Sequence, residues 1–386
     1  MKQLCLSVLL IAATLSMNAQ EAQTSRPRPN HRNMIQRPPA EPATPDADGN
    51  HVNAHGGCII AHEGEWLWYG EARPSRGFTS EGVSLYTARR FDEKGQPVDS
   101  LVWQNRGLVL SVVDTPGSPI EKGCIIERPK VLWNPRTQLF VMLFHSELKG
   151  RGYEAAQTGF ATSPSPYGPF TFHHAQRPNA NLWPADFKAE DIAKAKSLRE
   201  SDFEKSWTPE WREAVAQGMF LYRDMEAGQM SRDMTVFVDD DSTAWHIFSS
   251  EENMTLQAAE LTPDYLGYTG RYYRIAAAGQ NEAPCILKRD GRYWLICSGC
   301  TGWDPNEARM FSATSIAGPW QQHPSPMRGE NASKTFGGQG TWIWQRTPGQ
   351  YVFMADVWIP RNLLMSRHLC IPISFDADGT PIIERK

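Results

Sequence analysis

Asp233-Met234-Thr235-Val236-Phe237 and Trp245-His246-Ile247-Phe248 are two short apolar runs joined by a polar turn, with a carboxylate heading the first. The same unit occurs four more times. His55-Gly56-Gly57-Cys58-Ile59-Ile60 precedes Trp66-Leu67-Trp68-Tyr69-Gly70-Glu71, and Glu127-Arg128-Pro129-Lys130-Val131-Leu132 precedes Phe140-Val141-Met142-Leu143-Phe144. Glu282-Ala283-Pro284-Cys285-Ile286-Leu287 precedes Tyr293-Trp294-Leu295-Ile296-Cys297, and Gln339-Gly340-Thr341-Trp342-Ile343-Trp344 precedes Tyr351-Val352-Phe353-Met354. A third strand follows most hairpins, as at residues 83–88, 158–162, 256–261, 309–314 and 369–373. Two of these run into similar turns, Tyr167-Gly168-Pro169-Phe170 and Ala317-Gly318-Pro319-Trp320. Five equivalent units predict an all-β, five-bladed propeller over residues 51–386, because each unit can bury its faces only against its neighbours. The five leading residues, His55, Glu127, Asp233, Glu282 and Gln339, then converge near one end of the central axis.

The rest of the 386-residue chain fits this frame. Its 30 glycines, 28 prolines and 14 tryptophans suit many short strands and tight turns. A net charge of −4 supplies no basic stripe, which argues against a nucleic-acid partner. Abundant Trp and Tyr suit both blade packing and stacking on the apolar faces of sugar rings. Lys2, the apolar run Leu4–Leu15 and Met17-Asn18-Ala19 read as a secretory signal peptide over residues 1–19. No other stretch is long and apolar enough to span a bilayer, so an exported protein, periplasmic or secreted, is expected. Residues 20–50, rich in Pro, Arg, Asn and Ala, read as a loosely packed arm.

The period breaks at 177–230. Residues 184–196 and 209–215 each have an early proline, early acids and helical apolar spacing, predicting a helical insertion between blades two and three. Six cysteines follow the leader, an even number that permits disulfides in an exported chain. Cys297-Ser298-Gly299-Cys300 has the gap of a redox or zinc motif but lacks a second pair, and it reads as neither. Asp239-Asp240-Asp241 resembles a calcium loop only in composition and reads as a turn.

Three carboxylates at matched positions point to hydrolysis of glycosidic bonds. That reaction uses a protonated acid for the leaving oxygen and a base for water. Glu282 is the acid candidate, with Asp233 placed to raise its pKa and orient it. The segments at 53–57, 69–71, 126–130, 231–234, 282–284 and 298–303 together resemble glycoside hydrolase family 43. Within it they are similar to the branch of exo-β-1,3-galactanases and β-galactosidases. The resemblance spans residues 53–375 and implies an inverting, exo-acting hydrolase with a galactose-containing oligo- or polysaccharide as its partner.

Most of that family has an aspartate base in blade one, where this chain has Asn53-Ala54-His55. By resemblance Glu282 is the acid, Asp233 its tuning partner and Glu127 a carboxylate contacting the reactive sugar. Gln339 is implied to position the attacking water and, as an unusual base, to activate it. A neutral amide is a poor base, and Glu127 is the stronger one if it stands about 6.5–9.5 Å from the acid. The two are expected to act together. Further sugar contacts are expected from Glu71, His55, Tyr153, Glu252, Asn253, Trp303 and Asn306, with Trp303 as the stacking platform. No cofactor and no catalytic metal are expected, though a structural ion on the axis is compatible with the fold. Two rivals remain: an α-L-arabinofuranosidase or β-xylosidase on the same scaffold, and a glycan-binding propeller without catalysis.

Overall fold

The short first hairpins turn on residues that tolerate positive φ. Glu63-Gly64 (φ 42° and 86°) and Asp290-Gly291 (φ 51° and 74°) are two-residue turns between paired strands. Two successive positive φ values match the right-handed twist of the flanking strands, which is why Asp-Gly suits the position. A computed structural model describes residues 41–385; the leader read at 1–19 and most of the arm lie outside the described residues.

Each unit forms one antiparallel sheet. Blade one comprises His55–His62, Glu65–Ala72, Gly82–Arg89 and Gln104–Ser111. Blade two comprises Ile125–Asn134, Leu139–Glu147, Gln157–Ser163 and Thr171–Gln176. Blade three runs through Met234–Val238, Ala244–Ser250, Thr255–Leu261 and Tyr268–Ile275. Blade four runs through Asn281–Arg289, Arg292–Gly299, Arg309–Ala313 and Gln321–His323. Blade five is built from Gln339–Thr347, Gln350–Val357, Arg367–Phe375 and Pro381–Arg385, with Met327–Gly329 added parallel to its last strand. The first strands pack against one another in cyclic order and close the ring, as the repeat predicts.

One apolar cluster fills each seam. Leu67, Tyr69 and Leu85 meet Phe140 and Phe144 between blades one and two, and Leu143 and Phe160 meet Val236 and Phe248 between two and three. Ile247 and Leu256 meet Leu295 between three and four, and Ile296 meets Phe353 between four and five. The fifth seam joins blades five and one without a shared strand. It relies on tryptophan: Trp66 meets Trp344 edge to face at 4.8 Å, and Trp342 Nε1 donates to the Ile59 carbonyl at 3.1 Å. Burying such large rings against each other gives this seam both area and geometry.

The period break at 177–230 contains three α-helices, α1 (Ala189–Ser197), α2 (Pro209–Ala216) and α3 (Met219–Arg223), with a 3-10 turn at Glu200–Asp202. Thr208 caps α2 by accepting from the Trp211 amide at 3.2 Å, with Pro209 at the first helical position. Trp211, Val215 and Phe220 pack on Met254, in the loop after the second strand of blade three. The end of the arm is docked: the Ala47 amide donates to the Trp103 carbonyl at 2.7 Å, and Glu41 pairs with Arg385. A loose arm is therefore not what residues 41–50 form. All six described cysteines are free thiols, four of them buried in the apolar interior. No described helix is long and apolar enough to cross a membrane.

Candidate active site

The heads of the innermost strands share one backbone device. In blades one, two and four the pairing register shifts just after His55, Glu127 and Glu282. The next residue in each case, Gly56, Arg128 or Ala283, is left-handed with φ of 59°, 53° and 53°. Such bulges re-aim the side chains beside them, and a non-glycine residue at positive φ costs on the order of 1 kcal/mol or more. Gly56 has a second constraint, because a Cβ there would lie 2.1 Å from Glu71 Oε1.

Blades one and two surround Glu127 with positive charge, Arg73 directly following the second strand of blade one and His145 lying in the second strand of blade two. Arg73 Nη2 and the Tyr153 hydroxyl both donate to Glu127 Oε1 at 2.8 Å, and His145 Nδ1 lies 3.2 Å from Oε2. Burial would raise this carboxyl's pKa, but His145 and Arg73 outweigh it and hold Glu127 far below the usual carboxylate range. His145 is bound on its other side by Glu147 at 2.8 Å. Against the effect of burial, these two carboxylates raise its pKa to about 9, so it is an imidazolium at neutral pH.

Arg128 joins the blades. It donates to Asp233 from Nε at 3.1 Å and Nη2 at 2.8 Å, to Gln339 Oε1 at 2.6 Å and to the Gly340 carbonyl at 3.1 Å. Asp233 is thus ion-paired, and one of its oxygens lies within 4.8 Å of one on Glu127. Glu282 has no cation in direct contact among the described residues. Gln339 Nε2 donates to its Oε1 at 2.9 Å, and Asn253 Nδ2 stands 3.4 Å from Oε2. Burial, then the charge of Asp233, push its pKa up to about 8, with Arg128, the Cys300 thiol and Gln339 opposing. Glu282 is therefore protonated at neutral pH, as a general acid must be.

The rim is set by strained and aromatic segments. Glu251, Glu252 and Asn253 are three consecutive left-handed residues. Arg274 clamps them to the insertion, pairing with Glu251 at 2.6 Å while donating to the carbonyls of Val215 and Ala216 at the end of α2. Glu252 lies 3.4 Å from both Arg223 of α3 and Arg232. Trp303 stacks on the exposed Phe78 at 6.0 Å and meets Trp358 edge-on at 5.7 Å. Ser298, Gly302, Trp303, Pro305, Gln339 and Trp358 line a recess beside Glu282.

Glu282, Asp233, Glu127 and Gln339 thus come together, with Tyr153, Asn253 and Trp303 around them and Glu252 in the same rim loop. Two expected sugar contacts, Glu71 and His55, do not face a sugar, whereas Asn306 lines the recess with Trp303 and Gln339. Glu71 is 1% exposed, with its oxygens accepting from Arg73 and the Arg128 amide; it is an internal counter-ion. His55 is fully buried, its nitrogens facing Asp356 at 3.3 Å and the Leu364 carbonyl at 3.2 Å. Asn306 binds both the amide and carbonyl of Gly299 and shapes the loop carrying Trp303.

Arg73, His145, Phe78 and Trp358 are additions that sequence reasoning missed. Strand alternation was the available signal for two of them, since Arg73 follows Glu71 by two residues and His145 precedes Glu147 by two. Two donor clusters have metal-like spacing, Glu127–His145–Asp233 and His55–Asp356–His368. In the first, both nitrogens of His145 already face carboxylates, Glu127 at 3.2 Å and Glu147 at 2.8 Å. In the second the rings of His55 and His368 stack at 4.8 Å and 12°, so their in-plane lone pairs run parallel rather than converge.

Comparison with known proteins agrees with this geometry. The model of "Glycosyl hydrolases family 43" matches residues 206–381. A family 43 β-1,3-galactosidase, solved with galactodeoxynojirimycin, is 47% identical, with 89% of this chain and 97% of that one covered and a TM-score of 0.83. An exo-β-1,3-galactanase from Clostridium thermocellum is 31% identical with a TM-score of 0.69, over 88% of this chain and 63% of its own. A β-D-galactofuranosidase of Aspergillus niger is 30% identical over 117 residues, which is 30% of this chain and 34% of that protein. The fold, the protonated acid beside its ionised partner and a 47% identical relative covered almost end to end give one result: this chain belongs to glycosyl hydrolase family 43 and is a glycoside hydrolase.

Proposed function

We propose that the protein releases terminal galactose from β-1,3-linked galactans, including arabinogalactan side chains, by inversion. The observation that carries this reading is the pairing of a protonated Glu282 with an ionised Glu127 across the Arg128–Asp233 bridge. The two most similar of the relatives above are named for action on β-1,3-galactose linkages, which supports the sugar and the linkage.

Glu282 gives its proton to the leaving oxygen, and the charge of Asp233 keeps that proton in place between turnovers. Glu127 takes the proton of the attacking water. Its Oε1 accepts from two donors, whereas Oε2 faces only His145 among the described contacts and keeps an acceptor position. A weakly basic carboxylate suffices, because water becomes strongly acidic as it bonds to the oxocarbenium-like carbon. Tyr153, Asn253 and Trp303 hold the sugar.

The reading uses no cofactor. Near the axis the chain supplies its own cation, with Lys130 Nζ donating to the carbonyls of Gly56 at 2.7 Å and Arg128 at 3.3 Å. Export fits the leader read at residues 1–19 and is checked by sequencing the mature N-terminus.

The deciding experiment follows release from β-1,3-galactooligosaccharides by NMR. Galactose appearing first as the α-anomer, and not with Glu282→Gln, is the expected result. Release only from arabinosides or xylosides, or from nothing, would overturn the reading.

A further inference from the structure

The loop after the second strand of blade three has a backbone that its sequence does not favour. Glu251, Glu252 and Asn253 lie at φ of 53°, 57° and 63°, and of the three residue types only asparagine visits that region with any frequency. Such a run persists only where its surroundings over-determine it. Here they do so through one buried carboxylate. Arg274 Nε and Nη2 donate to the two oxygens of the fully buried Glu251 at 2.8 and 2.6 Å. The same guanidinium donates to the carbonyls of Ala216 at 2.6 Å and Val215 at 2.8 Å, where the negative end of α2 attracts a cation. Gln257 Nε2 adds a second link, donating to Glu251 Oε1 at 3.2 Å and to Gln229 Oε1 at 3.3 Å. Gln229 Nε2 in turn donates to the Leu221 carbonyl of α3 at 3.1 Å. The helical insertion therefore sets the conformation of this loop.

At its far end the loop reaches the acid. Asn253 Nδ2 stands 3.4 Å from Glu282 Oε2, and the Asn253 carbonyl accepts from the Cys300 thiol at 3.8 Å. A general acid must lie beside the oxygen that joins the two sugars, so residues next to its carboxyl border the departing sugar.

We propose that Arg274 is a positioning residue for the departing sugar: through Glu251 it fixes Glu252 and Asn253 as the wall against which that sugar sits. Arg274 itself touches neither the sugar nor the acid. The insertion is the abutment of this wall, so that recognition of the leaving sugar depends on α2 and α3. Lysine cannot take the place of Arg274, because one ammonium cannot grip both carboxylate oxygens and also span to two carbonyls.

The activity test rests on the galactosidase reading and compares a sugar leaving group with a single atom. Arg274→Lys and the double variant Glu251→Gln/Arg274→Met, which leaves no unpaired charge at the site, are assayed on β-1,3-galactobiose and on β-galactosyl fluoride. In both variants kcat/KM should fall at least roughly tenfold on the disaccharide and stay within about twofold on the fluoride. A merely structural role would lower both alike. Losses that are equal, absent or larger on the fluoride would overturn the proposal.

A second readout needs no substrate. Hydrogen–deuterium exchange over residues 249–256 should accelerate at least roughly tenfold in both variants, while the first hairpin of blade one exchanges as in wild type. Unchanged exchange at 249–256 would overturn the proposal. Should the wild type turn over neither galactoside, the galactosidase reading fails and the exchange alone decides. The double variant removes both charges together, so a folding failure of Arg274→Lys alone still leaves the question decided.

Discussion

Glu127 and Glu282 occupy the same place in blades two and four, each one residue before a left-handed position and two before a proline, yet they hold opposite charge states. Glu127 looks onto Arg73, His145 and a tyrosine hydroxyl. Glu282 looks onto two amides, a thiol and the charge of Asp233. The repeat decides where a carboxylate stands, and the neighbouring blades decide whether it carries a proton. On the proposed function, an acid and a base are made from one structural position used twice.

The largest effect expected in testing this contrast is on the acid. Glu282→Gln should lower kcat on β-1,3-galactobiose by on the order of 10³-fold, with much less loss on the dinitrophenyl galactoside, measured by steady-state kinetics. Equal losses would erase the distinction between the two carboxylates. Glu127→Gln should lower kcat by on the order of 10²-fold on both substrates, and azide should restore part of it by replacing water. A loss confined to the disaccharide would place the acid in blade two instead.

Asp233→Asn sharpens the comparison. The alkaline limb of activity depends on a protonated Glu282, so the wild-type rate should fall as pH rises through about 8. Removing the Asp233 charge removes one of the two causes raising that pKa, so the limb should move to lower pH, with about a tenfold loss at its optimum.

The smallest effect is on stability. The folded pKa of His145 is raised to about 9 from an ordinary value near 6.5. Its ion pairs therefore stabilise the fold fully below about 6.5 and progressively less as pH rises through 9. Melting temperature should fall by about 2–4 °C between pH 7 and pH 9.5, and by less in Glu147→Gln.

The five blades were legible because alternation, aromatic content and Asp-Gly-type turns act locally and repeat. The leading residues were legible for the same reason, and Glu282, Asp233 and Glu127 do meet. What misled was the use of position alone. Glu71 and His55 lie near the axis, but their polar atoms are taken by Arg73 and Asp356, contacts formed by side-chain reach rather than strand period. Arg128 stood inside a quoted motif without a role, since nothing local says that its guanidinium crosses to two other blades. Trp358 was one tryptophan among 14.

The seam between blades five and one has a bearing on when the protein first works. Blades one to four already carry Glu282, Asp233 and Glu127, but the Gln339 amide that donates to Glu282 and the Trp358 indole that donates to Gln339 both come from the last blade. In the closed ring that blade meets blade one through interlocked tryptophans. A chain lacking its last blade is therefore expected to hold the three carboxylates without the contacts that Gln339 and Trp358 add, and to be inactive on β-1,3-galactobiose when assayed beside the full chain.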